Sequence, residues 1–86
     1  MDNITKEFFK HKLATIMDEV LKKNLNITID EIRILGTGEV FLKGETKEVD
    51  KAVSHYVKQE GFSINFLEVI DGVQKVILYN KDIKLA

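Results

Sequence analysis

Apolar residues recur along this chain with two different periods, and the switches between them divide it into six elements. From Thr5 to Lys23, Phe9, Leu13, Ile16, Met17, Val20 and Leu21 fall three and four apart, the stripe of an amphipathic helix packed on a core. Thr5 suits the N-cap, and Ile4 with Phe9 stands at hydrophobic-staple spacing. Asn24 followed by Leu25 predicts a left-handed cap that folds back on Val20. A second stripe, Val49, Ala52, Val53, Tyr56 and Val57, predicts a helix from about Thr46 to Glu60. Gly61 would cap it, with Phe62 returning to Val57.

After each helix the period drops to two. The runs LNITIDEI and FSINFLEV both read apolar, polar, Ile, polar, apolar, and then lose phase before a glutamate and an aliphatic residue, so that Glu31 matches Glu68. The slips, between Ile29 and Ile32 and between Phe66 and Val69, predict a β-bulge in each strand, because one extra residue moves the buried side chains to alternate positions. A turn follows each time, LGTGE and then IDGV, and Asp71-Gly72 is a strong signal for a two-residue hairpin that needs positive φ at both positions. The returning strands are EVFLKG and VQKVILYN. These elements predict an α+β fold in the order αββαββ, a four-stranded antiparallel sheet with two helices on one face. The parallel texts suggest an internal αββ repeat, the alternative being coincidence between two ordinary helix-strand-strand runs.

The glycines of GTGEVFLKGE raise a different question, since glycine-rich loops also cradle phosphates. A dinucleotide loop needs a third glycine where Phe41 stands and a helix where a strand-like run follows, and Lys43-Gly44-Glu45 reverses the order a P-loop requires. Gly36 and Gly38 are better read as the turn of a hairpin.

Composition narrows the picture further. At 86 residues the chain has room for one core and one domain, and its 44% apolar and 31% charged residues suffice to fold it. The absence of cysteine excludes disulfides, thiolate metal sites and thiol nucleophiles. No long apolar run suggests a signal peptide or a membrane span, so a cytoplasmic location is expected. A formal net charge of −1 argues against a protein that holds duplex DNA mainly through phosphate neutralisation.

Candidate chemistry is sparse. His11 lies between lysines on the polar side of the first helix and His55 on the second, neither with a second ligand at metal spacing, and Ser54 beside His55 points in a different direction from it. Glu31 and Glu68 could meet across a pseudo-twofold axis and do acid-base work, or could be two solvated residues marking the bulges. No catalytic residue, metal ligand or cofactor is therefore expected, and the chain reads as a non-enzyme.

The returning strands carry more information. In VFL and VILY consecutive residues are apolar, so side chains project from both faces of the sheet, while two helices can cover only one. The uncovered face would show some of Phe41, Leu67, Val76 and Leu78 or, in the opposite register, Ile77 and Tyr79, the alternative being strands that curl so that both faces are internal. Phe41, Leu78, Val76 and Tyr79 are thus the candidate partner-binding residues, for a protein partner or a second copy in a homodimer. The alternative is a nucleic-acid binder that stacks bases on Phe41 or Tyr79 and holds phosphates with Arg33, Lys43, Lys47, Lys51 and Lys58.

Overall fold

The computed structural model describes residues 3–36 and 38–80, with the elements α1 (Asn3–Leu25), β1 (Glu31–Leu35), β2 (Glu39–Glu45), α2 (Thr46–Gln59), β3 (Ser63–Ile70) and β4 (Val73–Tyr79). All strand pairs are antiparallel and the sheet order is β1-β2-β4-β3. Each hairpin contributes one edge strand and one central strand, and both helices lie on the same face. The expected α+β architecture and element order are those observed.

Both helices end by the same device. Asn26 (φ 55°) and Gly61 (φ 75°) are left-handed, and the amide of the next residue donates back into the last turns: Ile27 N to Leu21 O at 2.9 Å, Phe62 N to Tyr56 O at 3.1 Å. The first cap therefore stands two residues later than the sequence suggests, and it folds Ile27 rather than Leu25 inward. The second brings Phe62 onto Tyr56, ring centroids 5.4 Å apart. Thr5 lies inside α1 and is not its cap, and the expected staple rests on the Ile4 side chain, outside the described residues.

The glycine-rich loop is a hairpin turn. Gly36 and Gly38 have φ of 42° and 126°, the Gly38 amide donates to Leu35 O at 2.8 Å, and β2 follows directly. Asp71 and Gly72 have φ of 50° and 77°, as the two-residue turn requires.

The two expected bulges turn out differently. The first slip is a bend at Asp30, where the chain passes so close to Gly44 that a Cβ there would lie 3.2 Å from the Asp30 amide nitrogen. The second is a true bulge between Ile64 and Phe66, earlier in β3 than the sequence pattern places it, and it leaves Phe66 paired with Ile77.

The core gathers between the sheet and the helices around Leu21, Leu42, Val49, Ala52, Val76 and Leu78, all fully buried. α2 packs over β2 and β4 and touches β3 more lightly, whereas α1 packs chiefly over β1. The sheet covers one side of α1: Ala14 and Leu21 are buried and Leu13 and Met17 partly so, while Phe9, Ile16 and Val20, expected in the core, lie about 100–140° round the helix from Leu21 and are exposed. Among the described residues one polar side chain, Gln74, is buried, and its Nε2 has no hydrogen-bond partner. Because an unsatisfied buried donor costs about 1–3 kcal/mol, Gln74→Leu is expected to stabilise the fold by on the order of 1 kcal/mol in urea unfolding. A destabilised variant would show that the amide contributes an interaction the leucine cannot replace.

Candidate functional site

Cross-strand partners share a face, so the register orders the helix-free side of the sheet into rows. One row runs Arg33, Phe41, Ile77, Phe66 across all four strands, and the next runs Glu31, Lys43, Lys75, Glu68. Tyr79 with Ser63 flanks the apolar row, and Val73 with Ile70 lies beyond the charged one. The Arg33 guanidinium stands 4.9 Å from the centroid of the Phe41 ring, and its Nε donates to Glu31 Oε2 at 2.6 Å. At the other end of the charged row, Lys75 Nζ approaches Glu68 Oε2 at 3.9 Å.

This arrangement redistributes the candidate residues. Phe41 and Tyr79 do face the open side. Val76 and Leu78 do not: β4 is in register with β2 so that Leu42 opposes Val76 and Val40 opposes Leu78, and all four lie under the helices. A side chain with no exposed surface cannot dock a partner, so Val76 and Leu78 belong to the core and Ile77 and Tyr79 take their place outside. Leu67 shares their helix-side face, yet it is exposed because no helix reaches far over β3.

The basic residues divide in the same way. Arg33 and Lys43 are on the open face, whereas Lys47, Lys51 and Lys58 are exposed along α2 on the opposite side. No single phosphate backbone could engage all five. Lys51 Nζ also donates to Glu48 Oε2 at 3.0 Å. Glu48 Oε1 accepts the Thr28 amide at 3.1 Å, and this bond first, with Lys51 second, holds the Glu48 carboxyl below its ordinary pKa. Glu31 and Glu68 occupy opposite ends of one row, three strand spacings or roughly 14 Å apart, and so form no carboxylate pair.

β3 is the feature that periodicity alone did not isolate. Seven of its eight residues are exposed, and both faces are apolar: Ile64, Leu67 and Val69 on the helix side, Phe66 and Ile70 on the open side. The signal was present in SINFLEVI, which carries apolar residues at both parities with a single charge. What the pattern lacked was the position of α2, which sits over the central strands and leaves β3 bare.

Elsewhere, a shallow cleft of about 250 Å³ lies between α1 and residues 29–32, with His11, Thr15, Asp18, Lys22 and Asp30 on its walls. Asp18 and Lys22 are paired with each other at 3.0 Å. His55 Nε2 lies 3.7 Å from Glu60 Oε1 on the surface of α2. Among the described residues no three His, Asp or Glu side chains converge as a metal cradle, and no helix is long and apolar enough to cross a membrane. Comparison with known protein families, with curated proteins and with solved structures finds no match.

Proposed function

We propose that this chain is a non-enzymatic protein-binding module that works through the helix-free face of its sheet. The observation that carries the reading is the continuous apolar row Phe41, Ile77, Phe66, flanked by Tyr79 and stacked at one end by Arg33. An apolar centre with a rim of paired charges is the anatomy of a protein contact, where the centre supplies affinity and the rim supplies orientation. The ionic groups nearest the row, Glu31 with Arg33 and Glu68 with Lys75, are engaged with one another rather than poised around a reacting atom.

Nucleic acid is the second reading, because Arg33, Lys43 and Lys75 adjoin the half-buried Phe41 ring on the open face. Glu31, Glu39, Glu45 and Glu68 share that face and offset their charge, which disfavours a phosphate-tracking surface.

Phe41→Ala is expected to weaken partner capture tenfold to a hundredfold, about 1–3 kcal/mol, while the circular dichroism spectrum and urea midpoint change little. The measurement is retention of proteins from a native lysate on immobilised wild type and variant, with and without nuclease and at low and high salt. Capture that survives nuclease and salt but is lost in the variant supports a dry protein contact. Nuclease-sensitive capture with a steep salt slope, or tight binding of a labelled oligonucleotide, would transfer the function to nucleic acid.

A further inference from the structure

We propose that β3 pairs with itself: two copies of this chain join antiparallel along β3 about a twofold axis at Glu68, forming one eight-stranded sheet. The two edges of the sheet are built differently. β1 is five residues long, carries Glu31 and Arg33, and has α1 packed over it, so it is guarded in the ways edge strands usually are. β3 is eight residues long, has no lysine, arginine or proline, and carries one charge, Glu68.

The backbone of β3 is ready for a partner. The two-residue turn closes on the Ile70–Val73 pair, whose backbone groups bond to each other, and every second residue back along β3 does likewise. Leu67 and Val69 therefore direct their N–H and C=O groups outward. Pairing about Glu68 sets Leu67 of one copy against Val69 of the other, twice, which satisfies those groups. It also sets Phe66 against Ile70 on the open side, so apolar meets apolar on both faces over the whole regular stretch that follows the bulge. Only Glu68 meets its own copy, and each carboxylate has a Lys75 ammonium at 3.9 Å to offset the repulsion.

Surface area and charge favour a second copy as the occupant. Ile64, Phe66, Leu67, Val69 and Ile70 are 44–58% exposed and, with neighbouring Val57 and Val73, present roughly 600 Å² of apolar side chain per copy. Two copies bring roughly 1,200 Å² of this surface to the seam between them, and edge-to-edge pairing covers the part of it next to the new strand, which makes the contact a small one. A net charge of −1 per chain adds almost no long-range repulsion. This inference does not depend on the open-face reading, although the dimer would continue each Phe41-Ile77-Phe66 row into the Ile70-Val73 row of the other copy.

The test uses the absence of cysteine. Residues facing each other in a non-hydrogen-bonded antiparallel pair have Cα atoms about 4.5 Å apart, within disulfide range, whereas two Ile70 residues would stand roughly 14 Å apart. Oxidised Glu68→Cys is expected to run as a covalent dimer and Ile70→Cys as a monomer. In sedimentation equilibrium the wild type is expected to dimerise, and Leu67→Lys with Val69→Lys to raise the dissociation constant at least a hundredfold without loss of helical circular dichroism. Should the lysine variant prove unfolded, the two cysteine variants decide. A wild type that stays monomeric to millimolar concentration overturns the proposal, as does a dimer that Ile70→Cys cross-links and Glu68→Cys does not. A dimer abolished by Phe41→Ala but untouched by the β3 lysines also overturns it, and leaves the open-face reading standing. The reverse pattern supports β3 pairing.

Discussion

Leu78→Ala is expected to cost about 2–5 kcal/mol of folding free energy, while Tyr79→Ala, the very next position, costs about 1 kcal/mol or less. Leu78 has no exposed surface, lies on a central strand opposite Val40 and Ile64, and fills the space beneath α2. Removing its branched end leaves a cavity that two flanking strands and a helix hold open, so the lost contacts are only partly regained. Tyr79 points from the other face and is 40% exposed, so its truncation returns a small area to water. A domain of this length has a total stability on the order of 5–10 kcal/mol, which places Leu78→Ala near half-unfolded under mild denaturant. Urea titrations of the two variants measure the contrast. Equal costs would mean that the faces of β4 have been assigned the wrong way round. The same pair bears on function, because any loss of binding by Leu78→Ala should follow its unfolding curve, whereas loss by Tyr79→Ala should occur in a folded protein.

The second large effect is alkaline. Tyr56, on α2, is buried against Phe62, and its phenol is pushed up to about 12, by burial first and by the nearby Glu60 charge second. The folded state therefore keeps its proton at pH values where the unfolded chain, titrating near 10, has lost it. Stability from this group is complete below pH 10 and drains away as pH rises through 12, a total of about 2–3 kcal/mol for two pKa units. Tyr56→Phe keeps the ring packing and removes the titration. The difference in unfolding free energy between wild type and Tyr56→Phe should thus stay flat from pH 7 to 9.5 and then shift by that amount in favour of the variant by pH 12. Lysines titrate in both proteins and cancel. A flat difference throughout would show that the phenol ionises in the folded state as easily as in the unfolded one.

Local chemistry made some features of this fold readable in advance. Asp71-Gly72 and the Gly36/Gly38 loop are turns because the backbone angles they need are available to few residues, and that demand is met within the turn itself. The failures share a different cause. VILY is apolar at four consecutive positions, so periodicity cannot say which pair is inside. Register with β2, nearly half the chain away, decides it, and Val76 and Leu78 go to the core. The apolar residues of α1 spread over more than one side of the helix, so what it can bury depends on the width of sheet beneath it, and it packs chiefly over β1. The bare condition of β3 likewise follows from where α2 settles, over β2 and β4, a packing outcome with no counterpart in its own fourteen residues. Glu31 and Glu68 match as text and end at opposite edges because the sheet order sets β2 against β4 between them.

That strand order also governs how the chain can be made. A ribosome delivers α1, β1 and β2 long before β4, yet Val40 and Leu42, paired on one side with Ile34 and Ile32, find their partners on the other side only in Leu78 and Val76. The first αββ segment therefore waits, with half a core exposed, until the last strand emerges. Thr46 then ties the first turn of α2 to the second hairpin, its amide and hydroxyl both donating to the Gly72 carbonyl at 3.1 Å. The two halves are thus not two small domains that could be separated and shuffled. Cutting between β2 and α2 would yield two fragments that each lack the other side of one core, and that regain structure only by finding each other.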